Sequence, residues 1–165
     1  NSTGGSLQFV FVEGNTSGQV GLNMTNNTVQ GNGTKARGLS FVGDSNGSYL
    51  ALIANNTITG CTGQGATLRA NGSSNVKARF TSNRFTGNSP NNGFSAATQA
   101  GSSASLGMIF QNNSSDVFNL VRSAGTQFDV EQLGQFNLAS GNTGTLQTSI
   151  VPAPQDVPAG SLGIP

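Results

Sequence analysis

The stretch Ala51-Leu52-Ile53-Ala54-Asn55-Asn56-Thr57-Ile58-Thr59-Gly60 carries the pattern that decides the fold. Apolar residues stand five and three positions before Asn56 (Ala51, Ile53) and two after it (Ile58), and Gly60 follows at the fourth. The same frame surrounds Asn27 with Leu22, Met24, Val29 and Gly31, and Asn83 with Ala78, Phe80, Phe85 and Gly87. Around Asn113 the preceding Met108 and Phe110 keep the register, whereas Ser115 and Val117 break it. Asn142 continues the series with a slipped frame, Leu138 at −4 and Ala139 at −3. Asn27, Asn56, Asn83, Asn113 and Asn142 thus recur at a nearly constant interval. Self-similarity at a period of this length is the signature of a solenoid or an array.

Within each repeat, polar and apolar residues alternate in short runs. Gly21-Leu22-Asn23-Met24-Thr25 and Lys77-Ala78-Arg79-Phe80-Thr81 have the two-residue period of a strand with one buried face. A second run follows each asparagine, as in Thr28-Val29-Gln30, Thr57-Ile58-Thr59 and Arg84-Phe85-Thr86. A third lies later, at residues 38–42, 66–70, 94–97 and 118–121. Three strands per repeat with Gly/Asn/Ser corners describe one coil of a three-sided parallel β-helix. A β-sandwich would show similar turn spacing. The equivalence of positions one repeat apart favours the solenoid. About five coils are expected, with Leu22, Met24, Val29, Ile53, Ile58, Phe80, Phe85, Met108 and Phe110 inside. No window of a dozen residues has helical periodicity.

Equivalent residues of successive coils lie about 4.8 Å apart. Asn27, Asn56, Asn83, Asn113 and Asn142 are therefore expected to form a ladder, each amide donating to the carbonyl of the next. Asparagine also tolerates the left-handed backbone of a tight corner. Residues 1–150 form the β-helix domain in this reading, with residues 6–12 a strand of a partial first coil. Residues 151–165 hold four of the five prolines, and proline removes ladder donors. This segment is expected to leave the sheet as an extended tail or linker.

Composition narrows the function classes. Gly (24), Asn (20), Ser (20) and Thr (16) make up 80 of 165 residues, while 8% are charged and 34% hydrophobic. Disordered chains are usually strongly charged and keep no apolar register, so an ordered chain with a narrow core is expected. A net charge of +1, with basic residues spread from Lys35 to Arg122, argues against a nucleic-acid partner. The pairs Lys35/Arg37 and Lys77/Arg79 lie one and a half repeats apart and should not stack; they read as solvated surface charge. The single cysteine, Cys61, forms no intrachain disulfide and reads as a small buried filler. The longest apolar run, at residues 9–12, is far too short for membrane insertion. Asn1 follows no signal-peptide pattern, as in a mature form or an excised piece.

The repeats Asn55-Asn56-Thr57-Ile58-Thr59-Gly60 and Asn83-Arg84-Phe85-Thr86-Gly87-Asn88 resemble those of the right-handed parallel β-helices of the pectin-lyase-like superfamily. Within it, the chain is most similar to bacterial surface-exposed or secreted β-helix proteins. Residues 141–145 and 157–160 resemble segments found at the ends of such arrays. The resemblance covers about residues 7–148 and implies a right-handed solenoid at an extracellular or cell-surface location. It does not fix a function, since this fold hosts enzymes, adhesins and stalks alike.

Enzymes of the superfamily use clustered carboxylates, or a calcium-binding acidic cluster with a basic residue. This chain has six acids, Glu13, Asp44, Asp116, Asp129, Glu131 and Asp156. Asp129 and Glu131 are the one close pair, and at i, i+2 they share a strand face. A carboxylate pair flanking a sugar, or a weak cation site, would need such residues. A solvated strand face is the simpler reading, and no catalytic, metal or cofactor site is expected. The absence of histidine handicaps zinc chemistry and histidine-based triads. Ten Asn-x-Ser/Thr sequons begin at Asn1, Asn15, Asn23, Asn26, Asn32, Asn46, Asn55, Asn71, Asn112 and Asn113 and would permit glycans. A threonine array for ice binding is broken, because Thr57-Ile58-Thr59 faces Thr28-Val29-Gln30 and Arg84-Phe85-Thr86. The expectation is a non-enzymatic structural or adhesive module: a stalk, an adhesin segment or a filament subunit. Its partners would be copies of itself, further coils of a longer chain, or surface polysaccharide. The alternative is a carbohydrate-active enzyme or a polysaccharide-binding fragment.

Overall fold

The computed structural model describes residues 8–15, 17–33, 37–88, 93–150 and 152–165. Among them it is a parallel β-solenoid of about five turns, and every strand pairing is parallel. One side carries β2 (Gln19–Thr25), β5 (Ser48–Ala54), β8 (Asn75–Thr81), β11 (Ser105–Gln111), β13 (Gln127–Glu131) and finally β15 (Gln155–Val157). A second side carries the short strands β3 (Thr28–Gln30), β6 (Thr57–Thr59) and β9 (Arg84–Phe85). The third carries β1 (Gln8–Asn15), β4 (Arg37–Asp44), β7 (Ala66–Ala70), β10 (Phe94–Thr98), β12 (Ser114–Val121) and β14 (Thr143–Thr148). Ser6 and Leu7, expected to open the first strand, lie outside the described residues. The described residues contain no α-helix, only a 3-10 turn at Leu133–Gln135.

The second and third sides fuse at β12. Arg84 pairs with Ser114 and Phe94 with Phe118, so ten residues of one coil (94 − 84) lie opposite four of the next (118 − 114). The corner present in lower coils is absent there, which accounts for the break in register at Ser115 and Val117. Ser115 is buried and donates its hydroxyl to the Val117 carbonyl at 2.7 Å. Gly93 faces it so closely that a Cβ would sit 2.0 Å from the Ser115 hydroxyl and from the Phe85 carbonyl.

The core fills the lumen. Met24, Val29, Ile53, Ile58, Phe80, Phe85, Met108 and Phe110 are buried, as their alternation predicts. Leu22 is the exception, only half-buried, because no described strand stacks on that side of β2. Phe80, Phe85, Phe94, Phe110, Phe118 and Phe136 form one contiguous aromatic cluster. Phe80 and Phe110, equivalent in adjacent coils, stack with centroids 5.7 Å apart. Such aromatic pairs add roughly 0.5–1.5 kcal/mol each beyond area burial.

The left-handed corner residue is not the ladder asparagine but its predecessor. Asn26, Asn55, Ser82 and Asn112 have φ of 58°, 56°, 55° and 55°, and Gly141 has 64°. The turn residue takes the unusual backbone conformation, and the next residue is thereby aimed inward.

The C-terminal segment does not leave the solenoid. β15 adds to β13 in parallel, with Asp129 opposite Gln155 and Glu131 opposite Val157. β15 contains no proline; prolines 152, 154 and 158 flank it, so its backbone donors survive. Residues 158–165 then cross the outer face of the first sheet as a strap.

Candidate functional site: the asparagine ladder and the strapped sheet face

The ladder is complete over all five positions. The Asn56 side-chain oxygen accepts the Asn27 backbone N–H at 2.9 Å and its Nδ2 at 3.1 Å. Asn83 receives both donors of Asn56 at 3.0 Å, and Asn113 both donors of Asn83 at 3.0 Å. Asn142 receives those of Asn113 at 2.9 and 3.0 Å. Each Nδ2 also reaches backbone carbonyls: Asn56 to Met24 and Ala54, Asn83 to Ile53, Asn113 to Phe80. Asn56, Asn83, Asn113 and Asn142 are 1–2% exposed, so these bonds sit where water cannot replace them. The carboxamides all point the same way along the axis, which makes the ladder polar. One corner away, Asn88 supplies a rung that the sequence reading missed. Its oxygen accepts the Cys61 N–H at 3.0 Å, and its Nδ2 donates to the Ile58 carbonyl at 3.0 Å. Its lack of an asparagine neighbour at the repeat spacing, where Cys61 stands, hid it.

The strap crosses a row of charged residues. Lys77, Gly107 and Asp129 are in register on β8, β11 and β13, with Arg79 and Glu131 two residues further along their strands. Glu131 accepts the backbone N–H groups of Gly160 and Leu162, each at 2.9 Å. Lys77 donates its ammonium to the Leu162 carbonyl at 2.7 Å, and Arg79 its Nη2 to the Ile164 carbonyl at 2.6 Å. Amides thus lie over the acid and carbonyls over the bases. Leu162 lies over Gly107, its methyls 3.3–3.4 Å from where a Cβ would stand, and Ile164 is buried.

Asp129 and Glu131 therefore do not form the solvated face expected from the sequence. They are 8% and 7% exposed, covered by a segment that composition made look like a tail. Asp129 accepts from Gln127 Nε2 through Oδ2, while its Oδ1, like Arg79 Nε, is buried without a partner. Lys77 and Arg79 are likewise strap clamps rather than free surface charge. The other described acids also hold backbone amides: Asp44 that of Ser45, Asp116 that of Gly87, and Asp156 those of Leu133 and Gly134. Among the described residues no group of three His, Cys, Asp or Glu lies close enough to hold a metal ion. Glu13 and Lys35 fall outside what is described of side chains.

Cys61 is buried, and burial pushes its thiol above the ordinary value. Of the sequons, Asn26, Asn55 and Asn112 present exposed side chains at one corner, whereas Asn113 is a buried ladder rung closed to modification. No described helix is long and apolar enough to cross a membrane. Beyond the end of the strap a shallow groove of about 600 Å³ continues over β8, β5 and β2, lined by Asn75, Lys77, Leu50, Gly21 and Pro165.

The fold and its ladder define the class as a parallel β-solenoid. No family model, no curated protein and no solved structure matches the chain.

Proposed function

We propose that the chain is a non-enzymatic structural module of an extracellular or cell-surface β-helix, acting as a stalk, adhesin segment or filament subunit, and related to the right-handed pectin-lyase-like solenoids. The observation that carries this reading is the use to which the acids are put. Asp44, Asp116, Glu131 and Asp156 each accept backbone amides. Glycoside hydrolysis needs two carboxylates facing a substrate across a cleft, with their protons free to move. A carboxylate fixed by two amides and covered by a strap is poorly placed for either role. The long hydrogen-bonded ladder and continuous aromatic core instead favour a stiff rod.

The test is incubation of the chain with pectin-like and alginate-like polysaccharides, with and without calcium, assayed for reducing ends and unsaturated sugar. The reading expects neither. Product that disappears in Asp129→Asn or Glu131→Gln would replace it with a carbohydrate-active enzyme.

A second reading, polysaccharide binding without cleavage, is favoured by the groove beside the strap, where the exposed Asn75 offers a carboxamide next to Leu50. Retention on a polysaccharide column that weakens with Asn75→Ala would support it.

A further inference from the structure

The ladder is open at one end and closed at the other, and we infer that the Asn27 end is a docking edge for a further coil in parallel register, one that brings an asparagine-type amide donor to the Asn27 side-chain oxygen. This inference rests on the structural reading above and adds its direction.

Each rung from Asn27 to Asn113 donates its backbone N–H and its Nδ2 to the carboxamide oxygen of the next rung. At the last rung the Phe136 carbonyl replaces that oxygen: it takes the Asn142 N–H at 3.4 Å and the Asn142 Nδ2 at 3.0 Å. Phe136 closes the 3-10 turn Leu133–Gln135, and its carbonyl caps the Asn142 end of the ladder. At the first rung no described residue plays the complementary part. Asn27 is exposed, and no donor among the described residues reaches its oxygen.

The strands around Asn27 have the same character. β2 and β3 end their rows, while the third side continues one strand further to β1. Among the described residues the end is therefore a step, with one side built and no further strand beside β2 or β3. β1 stands one repeat before β4 (Gln8 opposite Arg37), so it already follows the period of a coil below β2 and β3. Neither β2 nor β3 carries a charge or a proline, the devices that keep exposed edges from pairing. Leu22 is half-buried, and Met24 and Val29 are 6% and 8% exposed, against 0–1% for Ala51, Ile53 and Ile58 one coil up.

A second copy docking tail to head would offer Asn142, whose donors Phe136 already holds. A second copy docking head to head would bring two carboxamide oxygens together. The occupant that fits is a coil of the same repeat, its asparagine one repeat ahead of Asn27 and its strands beside β2 and β3.

Residues 48–58 contain one such strand, corner and rung. Copied directly ahead of Asn1, they place the copied asparagine before Asn27 at the same interval that separates Asn27 from Asn56. Hydrogen exchange of the Asn27 carboxamide and of the β2 and β3 amides should slow at least tenfold in this extended chain. Alanine at the copied asparagine should remove the effect at Asn27. The same segment placed after Pro165 should leave Asn27 unchanged. Unaltered protection of the Asn83 carboxamide confirms in each case that the solenoid is intact. Equal protection from the C-terminal addition, or none from the N-terminal one, overturns the inference. So does a concentration-dependent oligomer of the 165-residue chain in which Asn27 is protected, since the occupant is then a second copy. Polysaccharide cleavage would overturn the structural reading without altering any of these exchange rates.

Discussion

Asn142 donates both its backbone N–H and its side-chain Nδ2 to the carbonyl oxygen of Phe136, at 3.4 and 3.0 Å, just as every earlier rung addresses the next asparagine. A main-chain carbonyl thus ends a side-chain ladder. The interior rungs are expected to matter more than the terminal one. Asn56→Ala takes the Nδ2 donor from the Asn83 oxygen and from the Met24 and Ala54 carbonyls, and the acceptor from both Asn27 donors. It should cost about 1–3 kcal/mol in denaturant unfolding. Asn27→Ala, at the exposed end, should cost distinctly less. Equal losses at the two positions would contradict an internal ladder.

The strap supplies a contrast between two neighbouring carboxylates. Glu131 receives two strap amides, whereas Asp129 has one donor and a buried, unpartnered oxygen. Glu131→Gln turns a donor against one of those amides and removes the charge from the other. Hydrogen bonds to charged groups contribute about 1.5–3 kcal/mol, so exchange at Gly160 and Leu162 should accelerate roughly ten- to a hundredfold. Asp129→Asn should be neutral or slightly stabilising. The reverse ranking, read by hydrogen exchange, would show that Glu131 does not hold the strap.

Cys61 is expected to be inert in the folded chain. Burial raises its pKa, so the thiol persists where an exposed cysteine would ionise. Because the folded value lies above the unfolded one, the pH window runs from the ordinary thiol range up to the raised folded value. The associated stability is complete below the ordinary thiol range and is lost as pH rises through the folded value. Alkylation of the native chain should follow unfolding, accelerating with denaturant. Rapid alkylation at neutral pH without denaturant would place the thiol at the surface.

The coil stack was legible in the sequence because stacking is what the period records. Met24 stacks on Ile53 and Ile53 on Phe80 in successive coils, so each repeat must place an apolar residue there. The ladder asparagines were legible for the same reason. Three features were not. The left-handed residue is polar at Asn26 and Asn55 like the rung that follows it, so composition could not tell the two apart. The fusion at β12 showed only as a break at Ser115 and Val117. The strap left no periodic trace, since Lys77 and Arg79 grip main-chain carbonyls 85 residues away and any sequence supplies those. For that reason Asp129 and Glu131 read as solvated when they are covered.

The most direct measurement is hydrogen exchange of the asparagine side-chain carboxamides in the isotopically labelled 165-residue chain. Asn56, Asn83, Asn113 and Asn142 are buried and bonded in series, with Asn27 exposed at the open end. Slow exchange at these four carboxamides and at the likewise buried and bonded Asn88, with fast exchange at Asn27, is the predicted result. Fast exchange at Asn56, Asn83 and Asn113 in the folded protein would contradict it.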